Sequence, residues 1–178
     1  KVSQYYSCDG IPWITPKDLS KNQSKFIARG ATDISEEGLN NSSAVLMPKG
    51  SVLFSSRAPI GYIAIAKNKL STNQGFKSVI PYENFGTALV YCFLKDNLQI
   101  IDSLSSGSTF NEVSTKTMKN IPALIPDIET VSEFRNYADK VLKLQEQFEE
   151  QMFKLNTVKE ILLIKLLSGK LDVSKIDL

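Results

Sequence analysis

The feature that most limits the fold is a stretch of chain, 127–168, that contains neither proline nor glycine. Leu, Glu, Lys and Gln dominate it, and these residues favour helix. The composition therefore predicts one long helix over about 130–168, which would span roughly 58 Å at 1.5 Å per residue. Gly169 stands where a glycine commonly ends a helix.

Apolar residues recur along this helix with the seven-residue period of a coiled coil. Nine of the eleven a and d positions are apolar, the exceptions being Gln145 and Lys159. A preceding domain of 126 residues would be only roughly 30 Å across, so the far end of the helix needs another helix as its partner. The alternative is a hairpin, with a turn near Asn156 and Thr157. The predicted helix–partner interface comprises Val131, Phe134, Ala138, Val141, Phe148, Met152, Leu155, Leu162 and Leu166.

Residues 1–126 have a different character, because all seven prolines of the chain lie there and interrupt any long element. The patterns at 51–55 and 62–66 predict two strands flanking a turn, and 78–81 predicts another strand. Apolar residues at helical spacing predict a helix over 84–101. The predicted fold class is α+β: a small mixed α/β domain with a curled sheet (1–126), followed by a long C-terminal coiled-coil helix (127–178).

The composition excludes several classes of function. The chain has no histidine, which excludes Ser-His-Asp and Cys-His catalysis and His-ligated zinc. Cys8 and Cys92 are isolated from each other and suit a reducing cytoplasm. No apolar run is long enough to cross a membrane. We therefore expect a cytoplasmic protein without a metal site.

Sequence motifs of common enzymes are also missing: there is no P-loop, no dinucleotide-binding Gly-x-Gly-x-x-Gly, no tetrapeptide of amino-methyltransferases and no Gly-x-Ser-x-Gly. The acidic pairs Glu36–Glu37 and Asp127–Glu129 fit helix-capping charges better than metal or catalytic pairs. The sequence thus favours a non-catalytic protein.

Positive charge is concentrated in the first half of the chain. Residues 1–80 carry 10 basic and 5 acidic side chains, a difference of +5, whereas 127–178 carry 8 and 10, a difference of −2. A solubilising surface would explain the excess equally well, and the pI of about 8.5 is below the value of about 9 that marks strong nucleic-acid binders. Polar and basic side chains at 14–25, 55–57 and 72–75 nevertheless include the types that contact phosphates and base edges. Asn73 could alternatively bond its own turn.

The order of several motifs resembles the target-recognition domain of type I restriction-modification specificity subunits. The motifs are Gly-Ile-Pro-Trp-Ile-Thr at 10–15 with Asp18, Leu-x-Pro-x-Gly-x-Val-Leu-x-Ser-x-Arg-Ala-Pro-Ile-Gly at 46–61, Thr-Asn-Gln-Gly-Phe at 72–76, Gly-Ser-Thr-Phe-Asn-Glu-Val-Ser at 107–114, Ile-Pro at 121–122 and 125–126, and Leu-Leu-Ser-Gly-Lys-Leu at 166–171. The resemblance covers nearly the whole chain.

The resemblance implies a DNA-binding specificity subunit, or half of one, that directs adenine methylation and restriction to a bipartite site. Partner methyltransferase subunits would supply S-adenosylmethionine, this chain would bind no cofactor, and restriction subunits would join through the complex. Family members usually carry two recognition domains and two helices. One of each implies half of a longer subunit, or a homodimer through antiparallel helices. A fused restriction-methylation enzyme and a non-DNA adaptor acting through the coiled coil are the alternatives.

The same resemblance implies where double-stranded DNA would be contacted. Lysines would bind phosphates, and Arg57, Asn73, Gln74 and the 107–111 loop would approach base edges. The alternative for Arg57, which precedes Ala-Pro-Ile-Gly, is that it only braces the turn. The predicted DNA-binding residues are Thr15, Lys17, Lys21, Asn22, Lys25, Lys49, Ser55, Arg57, Asn73, Gln74, Ser108, Thr109, Asn111 and Lys116.

Overall fold

The computed structural model describes residues 3–106 and 111–170 and confirms the predicted α+β class. After a short 3₁₀ turn, the elements in chain order are β1 (Tyr6–Ser7), β2 (Ile11–Ile14), α1 (Pro16–Lys21), β3 (Phe26–Ile27), β4 (Thr32–Ile34), α2 (Glu36–Asn40), β5 (Val52–Ser56), β6 (Ile60–Ala66), β7 (Ser71–Thr72), α3 (Gly86–Asp96), α4 (Leu98–Ser103), α5 (Thr115–Lys119) and α6 (Ile128–Leu167). These elements form two compact units, of which the first ends at Val141 and the second begins at Leu142.

The strands form two small open sheets. One has the strand order β1-β4-β2-β7, and the other has the order β3-β6-β5. The antiparallel pairing of β5 with β6 confirms the strand pair predicted on either side of the 57–61 turn. Within that turn the Ala58–Pro59 peptide bond is cis, and the register of the pair shifts between Phe54 and Ser56.

Strand β5 is buried along its whole length because its two faces contact two different hydrophobic clusters. Successive side chains of a strand point to opposite faces. Leu53 accordingly joins Ile14 and Phe76 in one cluster, and its neighbour Phe54 joins Leu94 in the other. This strand therefore fixes the position of both layers of the domain.

Two local predictions from the sequence were wrong. The helix predicted over 84–101 is two helices, α3 and α4, divided at Asn97. The side-chain amide and the backbone N–H of Asn97 both donate to the carbonyl of Phe93, at 2.8 and 3.1 Å, and so end α3. The strand predicted over 78–81 is a single bridge between Val79 and Val52, since Pro81 cannot donate a backbone hydrogen bond.

Helix α6 is continuous, so the hairpin alternative near Asn156 is wrong. Asp127 caps its start by accepting from the N–H and the hydroxyl of Thr130, at 2.8 and 2.9 Å. At the other end Gly169 has φ +67° and donates to Leu166, while Lys170 donates to the carbonyl five residues back. This is the Schellman arrangement, and it confirms the predicted helix end.

The first compact unit extends beyond the boundary that we predicted at residue 126. The reason is the burial of Val131, which is only 2% exposed although it lies on α6. The first turns of α6 are therefore part of the folded domain.

Candidate nucleic-acid interface

The junction of β2 and α1 is held by a hydrogen-bonded helix cap. The Asp18 carboxylate accepts from the N–H and the hydroxyl of Thr15, at 2.8 and 2.6 Å, and from the N–H of Ala31 at 2.9 Å. Thr15 and Asp18 thus have a structural role that orients α1. Lys17 and Lys21, on the same helix, are exposed.

A turn at 73–75 lies against this junction. The N–H of Asn73 donates to the carbonyl of Ile14 at 3.1 Å, and its side-chain oxygen accepts from the N–H of Gly75 at 2.9 Å. A side chain at Gly75 would meet the ring of Pro16, so the two segments are in close contact. Asn73 therefore stabilises the turn, as the alternative interpretation proposed, and leaves Gln74 exposed beside α1.

The end of β5 lies next to the same turn, since Ser56 N–H donates to the carbonyl of Gly75 at 2.8 Å. Ser55 is fully buried: its hydroxyl donates to the carbonyl of Pro59 and accepts from the N–H of Tyr62, both at 2.8 Å. The prediction that Ser55 contacts DNA is wrong, because its hydroxyl holds the 57–61 turn and does not reach the surface.

Arg57 follows at the end of β5 and pairs with Glu112. Its Nη1 lies 3.6 Å from one carboxylate oxygen of Glu112, and Lys77 Nζ lies 3.2 Å from the other. The backbone joins the same segments, because Val113 N–H donates to the carbonyl of Ser56 at 3.0 Å. Sequence reasoning missed Lys77 and Glu112 as site residues. A usable signal was present: Glu112 is the sole acidic residue between Asp102 and Asp127.

Backbone hydrogen bonds thus connect four of the motif segments: the β2–α1 junction, the 73–75 turn, the end of β5 and the segment beginning at Asn111. We call this set of segments the motif face. Its exposed or half-buried polar side chains are Lys17, Lys21, Gln74, Arg57, Lys77, Asn111 and Glu112.

Other predicted DNA-binding residues have different surroundings. Lys25 Nζ lies 4.9 Å from the centre of the Tyr91 ring, and Asn22 donates to the carbonyl of Ser24 at 2.7 Å. Lys49 lines a recess of about 330 Å³ with Arg135, and Lys116 is exposed on α5. Ser108 and Thr109 lie outside the described residues.

The predicted helix–partner residues divide into two groups. Val131 is buried in the domain and Ala138 is half-buried, so Val131 is closed to another helix. The others are large apolar side chains between 38% and 64% exposed: Phe134, Val141, Phe148, Met152, Leu155, Leu162 and Leu166.

The cap at the start of α6 affects the ionisation of Asp127. Hydrogen bonds from the backbone and hydroxyl of Thr130 lower the pKa of its carboxyl below the usual 3.8. Within 3–106 and 111–170, no cluster of three His, Cys, Asp or Glu residues could hold a metal ion, and no helix is apolar enough over a sufficient length to cross a membrane.

Proteins that resemble this chain in sequence, and others that resemble it in structure, belong to type I restriction systems. The family model for the type I restriction modification DNA specificity domain matches residues 2–165. The specificity subunit of the type I restriction enzyme MjaIX from Methanocaldococcus jannaschii is 36% identical over 160 residues, which cover 87% of this chain and 37% of that subunit. The HindI specificity subunit from Haemophilus influenzae is 24% identical over 174 residues, 96% of this chain and 38% of that subunit.

Among solved structures, the HsdS subunit from Thermoanaerobacter tengcongensis matches with a TM-score of 0.59 at 16% identity, over 96% of this chain and 41% of that one. A chain from a type I R-M system solved for its assembly and conformational transition matches with a TM-score of 0.58 at 20% identity, over 93% of this chain and 40% of that one. This chain spans about two fifths of the length of these relatives. Because the family model covers most of its residues, the chain belongs to the family of type I restriction modification DNA specificity domains.

Proposed function

We propose that this chain is a non-catalytic module that binds double-stranded DNA in a sequence-specific manner for a type I restriction-modification complex. The observation that carries the proposal is the motif face. Segments that are far apart in sequence are joined there by backbone hydrogen bonds, and they present basic and amide side chains together. A rigid scaffold of this kind positions binding residues on loops.

The side chains of the motif face suit different parts of a DNA duplex. Lys17 and Lys21 are exposed cations on one short helix and would bind phosphates. Gln74 and Arg57 have the amide and guanidinium groups that form paired hydrogen bonds with adenine and guanine. The +5 charge difference of residues 1–80 would support binding to the phosphate backbone.

The partners form the second part of the proposal. Methyltransferase subunits would dock on α6, bind S-adenosylmethionine and methylate adenine, and restriction subunits would join through that complex. The exposed apolar residues of α6 support pairing with a second helix. If that helix belongs to a second copy, antiparallel pairing places two recognition domains in twofold symmetry, and the DNA site is bipartite and palindromic. Cytoplasmic location belongs to the same proposal.

The test is to co-express the full chain with a type I methyltransferase subunit from the same organism and to map the methylated adenines in the host DNA. A split palindromic motif supports recognition, methyltransferase partnership and twofold pairing together. An asymmetric motif contradicts the homodimer and indicates a second, different recognition domain, supplied elsewhere in a longer or fused protein.

Direct DNA binding separates this proposal from an adaptor that acts through α6 alone. For the recognition module, the logarithm of the binding constant falls with the logarithm of salt concentration, by about 0.9 for each phosphate neutralised. Fluorescence anisotropy with a labelled duplex that carries the mapped motif measures this slope. Binding that is absent at low salt, while the methyltransferase subunit still binds the chain, contradicts DNA recognition and favours the adaptor.

A further inference from the structure

We propose that Glu112 and Lys77 are positioning residues that hold Arg57 in place to recognise a guanine. This inference rests on the proposed function, since it requires that the chain binds duplex DNA. It concerns three side chains of the motif face, of which Lys77 and Glu112 were not among the residues predicted to bind DNA.

The three side chains form a short chain of charges. Lys77 Nζ lies 3.2 Å from one oxygen of Glu112, and Arg57 Nη1 lies 3.6 Å from the other. Lys77 Nζ is also within 3.5 Å of the hydroxyl of Ser56, which is buried in the domain. Lys77 thus connects the Glu112 carboxylate to β5, and the carboxylate in turn faces the guanidinium.

The backbone fixes the spacing of the same residues. Arg57 and Glu112 are partners in an isolated antiparallel bridge, and the N–H of Val113 donates to the carbonyl of Ser56. Lys77 N–H donates to the carbonyl of Phe54 at 2.9 Å. Backbone hydrogen bonds therefore align three separate segments at the end of β5 and bring their side chains together.

The contact between Arg57 and Glu112 orients the guanidinium but leaves most of its N–H donors available. At 3.6 Å it is longer than the 2.7–2.9 Å of a charge-assisted hydrogen bond, and it involves one nitrogen of a group with five donors. The side chains of Arg57 and Glu112 are 35% and 38% exposed, so water and a ligand can reach them. Guanine offers two acceptors, O6 and N7, that match the guanidinium fork.

The charges of the three side chains do not cancel. Arg57 and Lys77 together carry two positive charges against the single negative charge of Glu112, which leaves +1 on the trio. A half-exposed ion pair of this kind contributes little to stability. The trio therefore has its main effect on the orientation of Arg57 and not on folding. An arginine that is already restrained loses less conformational entropy on binding than a flexible one.

The experiment selects binding sites from a library of randomised DNA duplexes with the full-length chain and then measures affinity for duplexes that differ at each position of the selected motif. For the wild type, we expect one position at which guanine is preferred by about 5-fold to 150-fold. Arg57→Lys retains the charge but lacks the fork, so it should abolish the preference at that position and leave phosphate binding in place.

The two positioning residues are tested at the same position. Glu112→Gln and Lys77→Met should each weaken the guanine preference there by a smaller factor than Arg57→Lys, whereas Lys77→Arg should retain it. Thermal unfolding of every variant separates these effects from loss of fold, and Lys69→Ala, at an exposed lysine outside the motif face, is the matched control for charge.

The outcomes separate the inference from the proposed function. A wild-type chain that selects no sequence contradicts the proposed function, and this inference with it. If the wild-type chain selects a motif and both Arg57→Lys and Glu112→Gln keep the wild-type base preferences, the inference alone is overturned. An equal loss of affinity for all duplexes in either variant would assign the trio to phosphate binding or folding and would overturn the inference as well.

Discussion

Helix α6 has two parts that share one apolar pattern but have different surroundings. Val131, at an a position in the first compact unit, is 2% exposed, whereas Leu155, at a d position in the second, is 64% exposed. The described residues after Phe148 on this helix are nearly all exposed. The same heptad period therefore contributes to the core of a domain at one end and leaves large apolar side chains exposed at the other.

This difference shows what a hydrophobic repeat can and cannot predict. The repeat identifies the helix and the side that avoids water. It does not distinguish burial against the chain's own domain from burial against another helix, because both environments satisfy the same apolar stripe. For this reason the repeat did not indicate that the first compact unit includes residues beyond 126.

The largest effect that can test the comparison comes from truncating one apolar side chain in each unit, buried in the first and exposed in the second. We expect Phe54→Ala, in the core, to reduce the free energy of unfolding by about 3–5 kcal/mol, a large part of a typical 5–15 kcal/mol. Leu155→Ala should change the stability of the domain by less than about 0.5 kcal/mol. Urea unfolding followed by the fluorescence of Trp13, the single tryptophan, measures the first unit directly.

Equal destabilisation by the two changes would contradict the division into units. A transition in Leu155→Ala that depends on protein concentration would instead show that the folded domain is coupled to helix pairing.

The domain and the site differed in how far the sequence could predict them. The β5–β6 pair was predictable because two short apolar runs on either side of a turn at 57–61 are local signals. The motif face was not, since the 73–75 turn meets the β2–α1 junction only through backbone hydrogen bonds between distant segments. Ser55 shows the limit most clearly: a serine in a polar motif suggests a contact residue, yet its hydroxyl is satisfied inside the domain.

The second prediction concerns the exposed part of the stripe. The double change Leu155→Asp and Leu162→Asp should dissociate a dimer, because it places charges in an apolar helix interface. The recognition domain should remain folded, since neither residue is part of its core. Light scattering after gel filtration gives the molar mass, and the near-ultraviolet circular dichroism reports the fold.

A matched control uses the same charge at exposed positions away from the stripe, Gln147→Asp with Thr157→Asp. Dissociation by the control as well would indicate that added negative charge, not the apolar stripe, determines pairing. An unchanged mass in the first variant would contradict the predicted helix interface.

The third prediction compares cations in the two units. Lys17→Ala, on α1 of the motif face, should reduce the slope of DNA affinity against salt by about 1 and weaken all sequences similarly, as expected for a lost phosphate contact. Lys159→Ala, on the second unit, should leave both quantities unchanged. Anisotropy titrations at several salt concentrations measure the two slopes, and an equal effect of both changes would place DNA along α6 as well.

The smallest expected effect contrasts the two ends of α6, where a side-chain carboxylate caps the start and backbone groups cap the end. Hydrogen bonds from Thr130 lower the pKa of Asp127 in the folded chain. Its contribution to the first turn is therefore fully present above the ordinary pKa of 3.8 and is lost as the pH falls through the lower folded value. The Gly169 end is closed by backbone hydrogen bonds and by the positive φ of Gly169, so no carboxylate takes part in that cap.

Amide hydrogen exchange should accordingly show that the first turn opens more readily as the pH falls below about 4, after correction for the intrinsic rate, while the last turn does not change. Asp127→Asn is the matched control, because asparagine caps a helix about as well as aspartate and does not titrate. In that variant the difference between the two ends should vanish. Persistence of the same pH response in Asp127→Asn would assign it to other carboxylates of the first turn, such as Glu129, acting on the helix dipole.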